Sequence, residues 1–339
     1  MMLLKQGLHN LLRTPLYTGQ YYYDCLDDIQ KTVYKRLASG IKSFNIEIEL
    51  PMRPVNEIFM VFESVLLDSP LLFYVSSFSY VNDLYKSKII IQPEYKYKRK
   101  DVKQIEVEIL KYLTAFDGIK SRSDIDKEIY VHDYCLNNFK YDYSFGNYSS
   151  SVLGLVLNKT AVCEGIAKFV KLSLDYLGMK SIVVFGKATD PLGNTENDRH
   201  AWNIVFVDGN AYHLDVTFDM TLTNKTNRYD YFNLTDEDIK KDHLIINDIP
   251  VCTTVGNDFM SINSLVAYNS TQLGKIIENC LMHGKKNIIA KVKNVNDLEG
   301  IIDKVATIAK EQYWFLYRCN PVFDISCNQS QLVFEINFI

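Results

Sequence analysis

Residues 161–167 read Ala161-Val162-Cys163-Glu164-Gly165-Ile166-Ala167, and apolar positions recur beyond them at Val170, Leu174 and Leu177 before Gly178. This spacing predicts an amphipathic helix that Gly178 stops, because glycine takes the left-handed conformation past a helix end without strain. Cys163 falls in the first turn. There the unpaired backbone N–H groups and the positive end of the helix dipole favour a thiolate over a thiol. A cysteine alone on a helix is usually a buried, inert residue. Its company in the rest of the chain decides between the two.

Residues 181–185 read as a strand, a Gly- and Asn-containing loop runs to Arg199, and His200-Ala201-Trp202-Asn203-Ile204-Val205-Phe206-Val207 reads as a second strand. Asp208-Gly209 predicts a two-residue hairpin turn, after which residues 211–217 return antiparallel. In that register Val207 pairs with Asn210 and Trp202 with Asp215, so His200, Trp202, His213 and Asp215 share one face. His200 and Asp215 are then diagonal neighbours, about 7–8 Å apart at the backbone, close enough for the carboxylate to reach the ring. A three-residue loop would put them on opposite faces.

The three residue types suit one chemistry. A cysteine attacks as thiolate, a histidine holds the proton and returns it to the leaving group, and a carboxylate fixes the ring tautomer. His213 could replace His200 as base but reads better as a half-buried strand residue, and Asp219 lies beyond the strand. Asn203 points to the other face. A Cys163/His200/His213 metal site lacks a paired-ligand spacing, so no metal and no cofactor are expected.

The texts Ala-Val-Cys163-Glu-Gly, His200-Ala-Trp-Asn and Leu-Asp215-Val-Thr217 resemble the bacterial transglutaminase-like superfamily. The resemblance covers roughly residues 101–255 and extends to Asp230-Tyr231-Phe232-Asn233-Leu234-Thr235-Asp236. It implies a papain-like core in which a helix bearing the cysteine packs on a sheet bearing histidine and aspartate. It also implies Cys163 as nucleophile, His200 as base, Asp215 as orienter and a thioester intermediate. Protein cross-linking acyltransferases, peptidases, peptide:N-glycanases and inactive scaffolds all occur in the superfamily, so the acyl acceptor stays open. Two aromatic positions common in the family are Leu153 and Ile166 here. Trp202, Tyr148 and Ser149 are the candidates for a substrate-binding wall, and the Cys163 N–H for part of an oxyanion hole.

The two ends of the chain resemble each other. Ile29, Val33 and Leu37 mark a helix face before Gly40; Leu273, Ile277 and Leu281 do so before Gly284, and both glycines read as left-handed C′ residues. A short strand follows at 45–48 and at 287–290. Then Val55-Asn56-Glu57-Ile58 opens a helix with Val61, Phe62 and Val65 on its face, and Val295-Asn296-Asp297-Leu298 opens another with Ile301, Ile302 and Val305. Aromatic-rich strands are expected at 72–80 and 89–91, and at 313–317 and 332–338. Each end therefore reads as an α-β-α-β-β module, the two forming an internal repeat.

The expected class is α+β: an N-terminal module at 1–100, a transglutaminase-like core at 101–255 with helices at 102–116 and 125–139, and a C-terminal module at 256–339. At 339 residues and 47% apolar content the chain can bury more than one core. A net charge of -4 gives no electrostatic footprint for nucleic acid, and the basic run at 96–103 reads as a solvated linker. No apolar h-region follows residues 1–4, and no stretch approaches the roughly 20 apolar residues of a spanning helix, so no membrane partner is expected. Seven cysteines without a CxxC pair fit a reducing, cytoplasmic setting. The expected partner is a protein or peptide substrate, attacked at an amide; the alternative is an inactive scaffold that binds a peptide or partner protein.

Overall fold

The structure, a computed structural model, describes residues 20–191, 198–223, 226–293 and 300–339. The chain divides into two compact units, Met1–Val184 with Ala201–Gly209 and Phe185–His200 with Asn210–Ile339.

After a single helical turn at Tyr21–Asp24 comes helix α1 (Asp28–Lys42), started by a capping box in which Asp27 accepts from Ile29 N and Gln30 N while Gln30 Oε1 accepts from Asp27 N. Such a cap is worth about 1 kcal/mol. Strand β1 (Ile48–Pro51), helix α2 (Val55–Asp68) and strands β2 (Val75–Asp83) and β3 (Lys88–Tyr95) follow, giving an antiparallel sheet in the order β1-β3-β2. Alternation fixes its register: Ile48 pairs with Ile91 and Leu50 with Ile89, all four buried beneath Val33, Leu37, Val61 and Val65. Gly40 does not end α1 as expected. It lies inside the helix, where an added Cβ would stand 2.5 Å from the Ile48 side chain, and Phe44, at φ 59°, takes the left-handed position instead.

Helix α3 (Arg99–Leu113) begins within the basic run expected to be a linker; the charges are exposed there, but Val102 is buried and recruits the segment into a helix. Helix α4 (Asp124–Asn138) and helix α5 (Cys163–Tyr176) complete the helical part, joined through the rings of Tyr134, Phe139 and Phe169. α5 ends as its sequence requires, with Gly178 at φ 80°. Strand β4 (Ser181–Ala188) runs from the first unit into the second, as strand β5 (Asp198–Val207) runs from the second back into the first, and the two are sheet neighbours. Asn203 is buried and donates to Ala167 O at 3.0 Å and Ile182 O at 3.1 Å, tying α5 to the sheet. Asp208 and Gly209 both have positive φ, 49° and 82°, as the two-residue turn demands.

In the second unit, strand β6 (Asn210–Leu214) stops before Asp215, one residue short of the expected strand partner of Trp202, and helix α6 (Val216–Leu222) follows. Strand β7 (His243–Ile245) pairs antiparallel with the far end of β4, Ala188 opposite His243. Beyond single helical turns at Asp236–Ile239 and Phe259–Ile262, strand β8 (Val266–Ala267), helix α7 (Ser270–Met282), strand β9 (Asn287–Val292), helix α8 (Ile301–Tyr317) and strands β10 (Phe323–Asn328) and β11 (Val333–Phe338) follow. Their sheet has the order β8-β9-β11-β10. Gly284, at φ 73°, follows the end of α7 as expected. Residues 313–317, expected as a strand, are the last turns of α8, whose apolar spacing carries through them; the strand comes later, at β10. Val305 is buried but Ile302 is exposed, so the α8 face is narrower than expected. The expected helix start at Val295-Asn296-Asp297-Leu298 and residues 192–197 of the loop before Arg199 lie outside the described residues, as do residues 1–4. Buried Arg228 bonds Asp230 at 2.9 and 2.7 Å and reaches Glu335 of β11 at 3.4 Å, which anchors the strand to the preceding segment.

Candidate active site

In the first unit Cys163 is the first residue of α5, half-buried, after Val162, whose side chain supplies no cap. The segment 148–151 lies against this turn. Val162 N donates to Ser149 O at 3.1 Å, and a Cβ on Gly165 would stand 2.2 Å from Ser149 O and 2.9 Å from Ser151 O. Only glycine two residues after the cysteine lets the chains approach this closely. The segment is itself tied by Asp142, which accepts from Ser144 Oγ at 2.6 Å, from Ser144 N at 2.9 Å, from Gly146 N at 3.0 Å and from Ser149 Oγ. These donors, those of the Ser144 and Ser149 side chains foremost, hold the Asp142 carboxyl well below the usual range. Ser149 is buried, and Tyr148 is 37% exposed with its ring 6.5 Å from that of Tyr97.

In the second unit His200 Nε2 bonds Asp215 Oδ2 at 2.6 Å. Asp215 is fully buried and is the N-cap of α6, its Oδ1 accepting from Thr217 N at 2.9 Å and Phe218 N at 3.1 Å. It therefore reaches the ring from a helix end rather than from a strand face. Burial alone would raise its carboxyl, but the His200 charge and the His200 and His243 hydrogen bonds outweigh burial and hold it far below the usual range. His243 Nε2 bonds the same Oδ2 at 3.0 Å, and its Nδ1 bonds Asp242 Oδ1 at 2.6 Å. Tyr231 OH donates to Asp242 Oδ2 at 2.6 Å. Phe218 covers both rings, with centroids 4.5 Å from His200 and 4.8 Å from His243.

His213 was expected on the face of His200 and Asp215. It is a buried residue of β6, with Nε2 2.8 Å from Asp236 Oδ1 and its backbone paired with Leu234. Burial lowers its ring to about 4, so it is neutral at neutral pH. Asp219 is buried and accepts from Tyr231 N at 3.1 Å. Trp202, Leu153 and Ile166 are buried. Among the described residues, two sets of side chains offer donor atoms within 4.8 Å of one another, His200/Asp215/His243 and His213/Asp236/Cys252. Burial and Asp236 push the Cys252 thiol up to about 12, which leaves the second set without a ready thiolate. Sequence reasoning missed His243 and Asp242: they sit at and just before the start of a three-residue strand too short to show alternation, and His243 is placed by its pairing with Ala188.

The family model of the transglutaminase-like superfamily matches residues 115–216. Those residues form a transglutaminase-like domain. The domain includes Cys163, His200 and Asp215. Among solved structures, the crystal structure of a TGase is similar at 19% identity and TM-score 0.31, over 45% of this chain and 47% of that one. A protein proposed to be a cysteine protease, from Cytophaga hutchinsonii, is similar at 13% identity and TM-score 0.24, over 42% of this chain and 61% of that one. This chain thus spans less than two thirds of either. Comparison with curated proteins returned no match. No helix among the described residues is long and apolar enough to cross a membrane.

Proposed function

We propose that the protein is a cysteine-dependent acyltransferase or hydrolase that attacks an amide of a protein or peptide. Cys163 is the nucleophile, His200 the base and Asp215 the orienter. The observation that carries this reading is the buried 2.6 Å bond between His200 Nε2 and Asp215 Oδ2, within the same matched family segment as a cysteine that starts a helix. In this reading Asp215 holds Nε2, and Nδ1 is the atom that exchanges the proton with the thiol. The thiolate adds to the amide carbonyl, His200 gives its proton to the departing amine, and a thioester remains. His200 then takes a proton from water, or from an acceptor amine, as that nucleophile attacks the thioester. The Cys163 N–H supplies part of the oxyanion hole, and Tyr148, Ser149 and Trp202 shape the wall around it.

The proposal extends to a cytoplasmic setting and to the three-part division at residues 100 and 255. The terminal parts are read as copies of one module, supported by their common strand order, β1-β3-β2 and β9-β11-β10. Water is the acceptor of first choice. The test is mass spectrometry of a peptide library incubated with the protein or with Cys163→Ala, with a primary amine present. Ammonia loss, cleavage or amine incorporation, absent from Cys163→Ala, supports the enzyme and names its reaction. Identical spectra, with Cys163 alkylated no faster than an ordinary thiol of pKa about 8.5 in the wild type and in His200→Ala alike, would overturn it in favour of a binding scaffold.

A further inference from the structure

Asp215 Oδ2 is shared by two imidazoles, at 2.6 Å from His200 and 3.0 Å from His243, while Oδ1 is occupied by two backbone N–H groups. Four donors saturate this carboxylate. His243 lies between two carboxylates, Asp215 at Nε2 and Asp242 at Nδ1. A neutral imidazole has one N–H and can donate to only one of them; both contacts are hydrogen bonds together when each nitrogen carries a proton. The arrangement continues to Tyr231 through Asp242, so five side chains form one line: His200, Asp215, His243, Asp242, Tyr231.

We propose that His243, clamped between Asp215 and Asp242, is a positioning residue that draws part of the Asp215 charge to itself and so sets the pH at which His200 releases its proton. The proposal rests on the reading of His200 as the base. A carboxylate that already serves a cationic donor attracts a second one less, and the two rings are 5.4 Å apart, a range at which like charges oppose each other. The groups facing His243 are Asp215 from the start of α6, His200 from β5, and Asp242 and Tyr231 from the segments beside β7; His213 is held down slightly by it. Asp242 and Tyr231 fix the ring from behind. The device would keep His200 from becoming too strong a base to hand its proton to a leaving amine.

The test is the titration of the His200 ring, followed through its Cε1–H proton resonance and assigned by its loss in His200→Ala. It is run in the Cys163→Ala background, so it is independent of whether Cys163 is a nucleophile; alkylation and peptide turnover test that reading separately. In His243→Gln, which keeps one donor but cannot be cationic, the His200 midpoint is expected to rise by about one unit, tenfold in proton affinity, with the unfolding midpoint little changed. Asp215→Asn is expected to move it the other way. An unchanged or lowered His200 midpoint in His243→Gln overturns the proposal, and so does a variant whose only change is loss of stability. Finding one zinc per purified chain, lost in both His200→Ala and His243→Gln, also overturns it, because the shared oxygen would then belong to a metal site.

Discussion

Replacing Gly165 by alanine tests the close approach of residues 149–151 to the helix that carries Cys163. The new Cβ would meet Ser149 O at 2.2 Å, Ala161 Cβ at 2.8 Å and Ser151 O at 2.9 Å, against about 3.5–4.0 Å for ordinary carbon contacts. Something must move by roughly 1 Å, and two of the three obstacles are backbone. Overpacking of this kind costs about 1–3 kcal/mol. Retreat of Ser149 also stretches its bond from Val162 N, now 3.1 Å, for about 1 kcal/mol more. The better helix propensity of alanine returns at most about 1 kcal/mol. The net cost is about 1–4 kcal/mol, centred near 2–3 kcal/mol, a fall of roughly 4–12 °C at that centre in the unfolding midpoint of a unit of this size. Gly118→Ala is the control, since its Cβ would meet nothing within 4 Å. Thermal melts by circular dichroism at neutral pH compare the two. A Gly165→Ala midpoint within about 2 °C of the control would refute the reasoning.

Two further outcomes follow from buried charge. Burial pushes the Glu106 carboxyl up to about 7, partly offset by Lys103; the native state therefore keeps a proton that the unfolded chain releases near pH 4.3. Its contribution to stability is complete below that pH and is lost as pH rises through about 7, so Glu106→Gln should flatten the decline in urea midpoint over that window. An unchanged slope would count against it. Arg228→Ala strands Asp230 and Glu335 without their buried partner and should cost about 3–5 kcal/mol by urea unfolding; a loss below about 1 kcal/mol would mean that water or another cation compensates.

Much of the fold was legible because its signals are local. The apolar spacing of α5, the glycine at 178 and the Asp208-Gly209 turn each specify a backbone conformation within a few residues, and each is found. The helix at Val55–Asp68 begins on the residue expected. Gly40 misled for a physical reason: a glycine near a helix end marks either a left-handed residue or a tight contact, and the contact is with Ile48, beyond the helix itself. Residues 313–317 misled because Tyr, Trp and Phe favour strands in isolation, while the periodicity that began at Ile301 continued through them. The partners of Asp215 were half legible. His200 came from the hairpin, but His243 depends on a pairing between β4 and β7 that no local pattern encodes.

Asp215 shows how a helix start can orient a carboxylate that a strand register would only bring near. A side chain on β6 extended to residue 215 would be free to turn about its own bonds, and its reach to His200 would depend on the twist of the hairpin. As an N-cap it is held: Thr217 N and Phe218 N fix Oδ1, and the plane of the carboxylate then aims Oδ2 at the imidazoles. The same two backbone bonds satisfy donors that would otherwise be orphaned at the start of a buried helix. Structural demand and orientation therefore coincide in one residue, so the carboxylate stays aligned whatever the His200 ring does with its proton. The signal in the sequence is the residue type alone, an aspartate able to cap the residues after it, while Val216, Phe218, Met220 and Leu222 alternate as in a strand. It was overridden by the strand alternation running into it from residue 210, and the two patterns compete wherever a hairpin strand feeds directly into a helix.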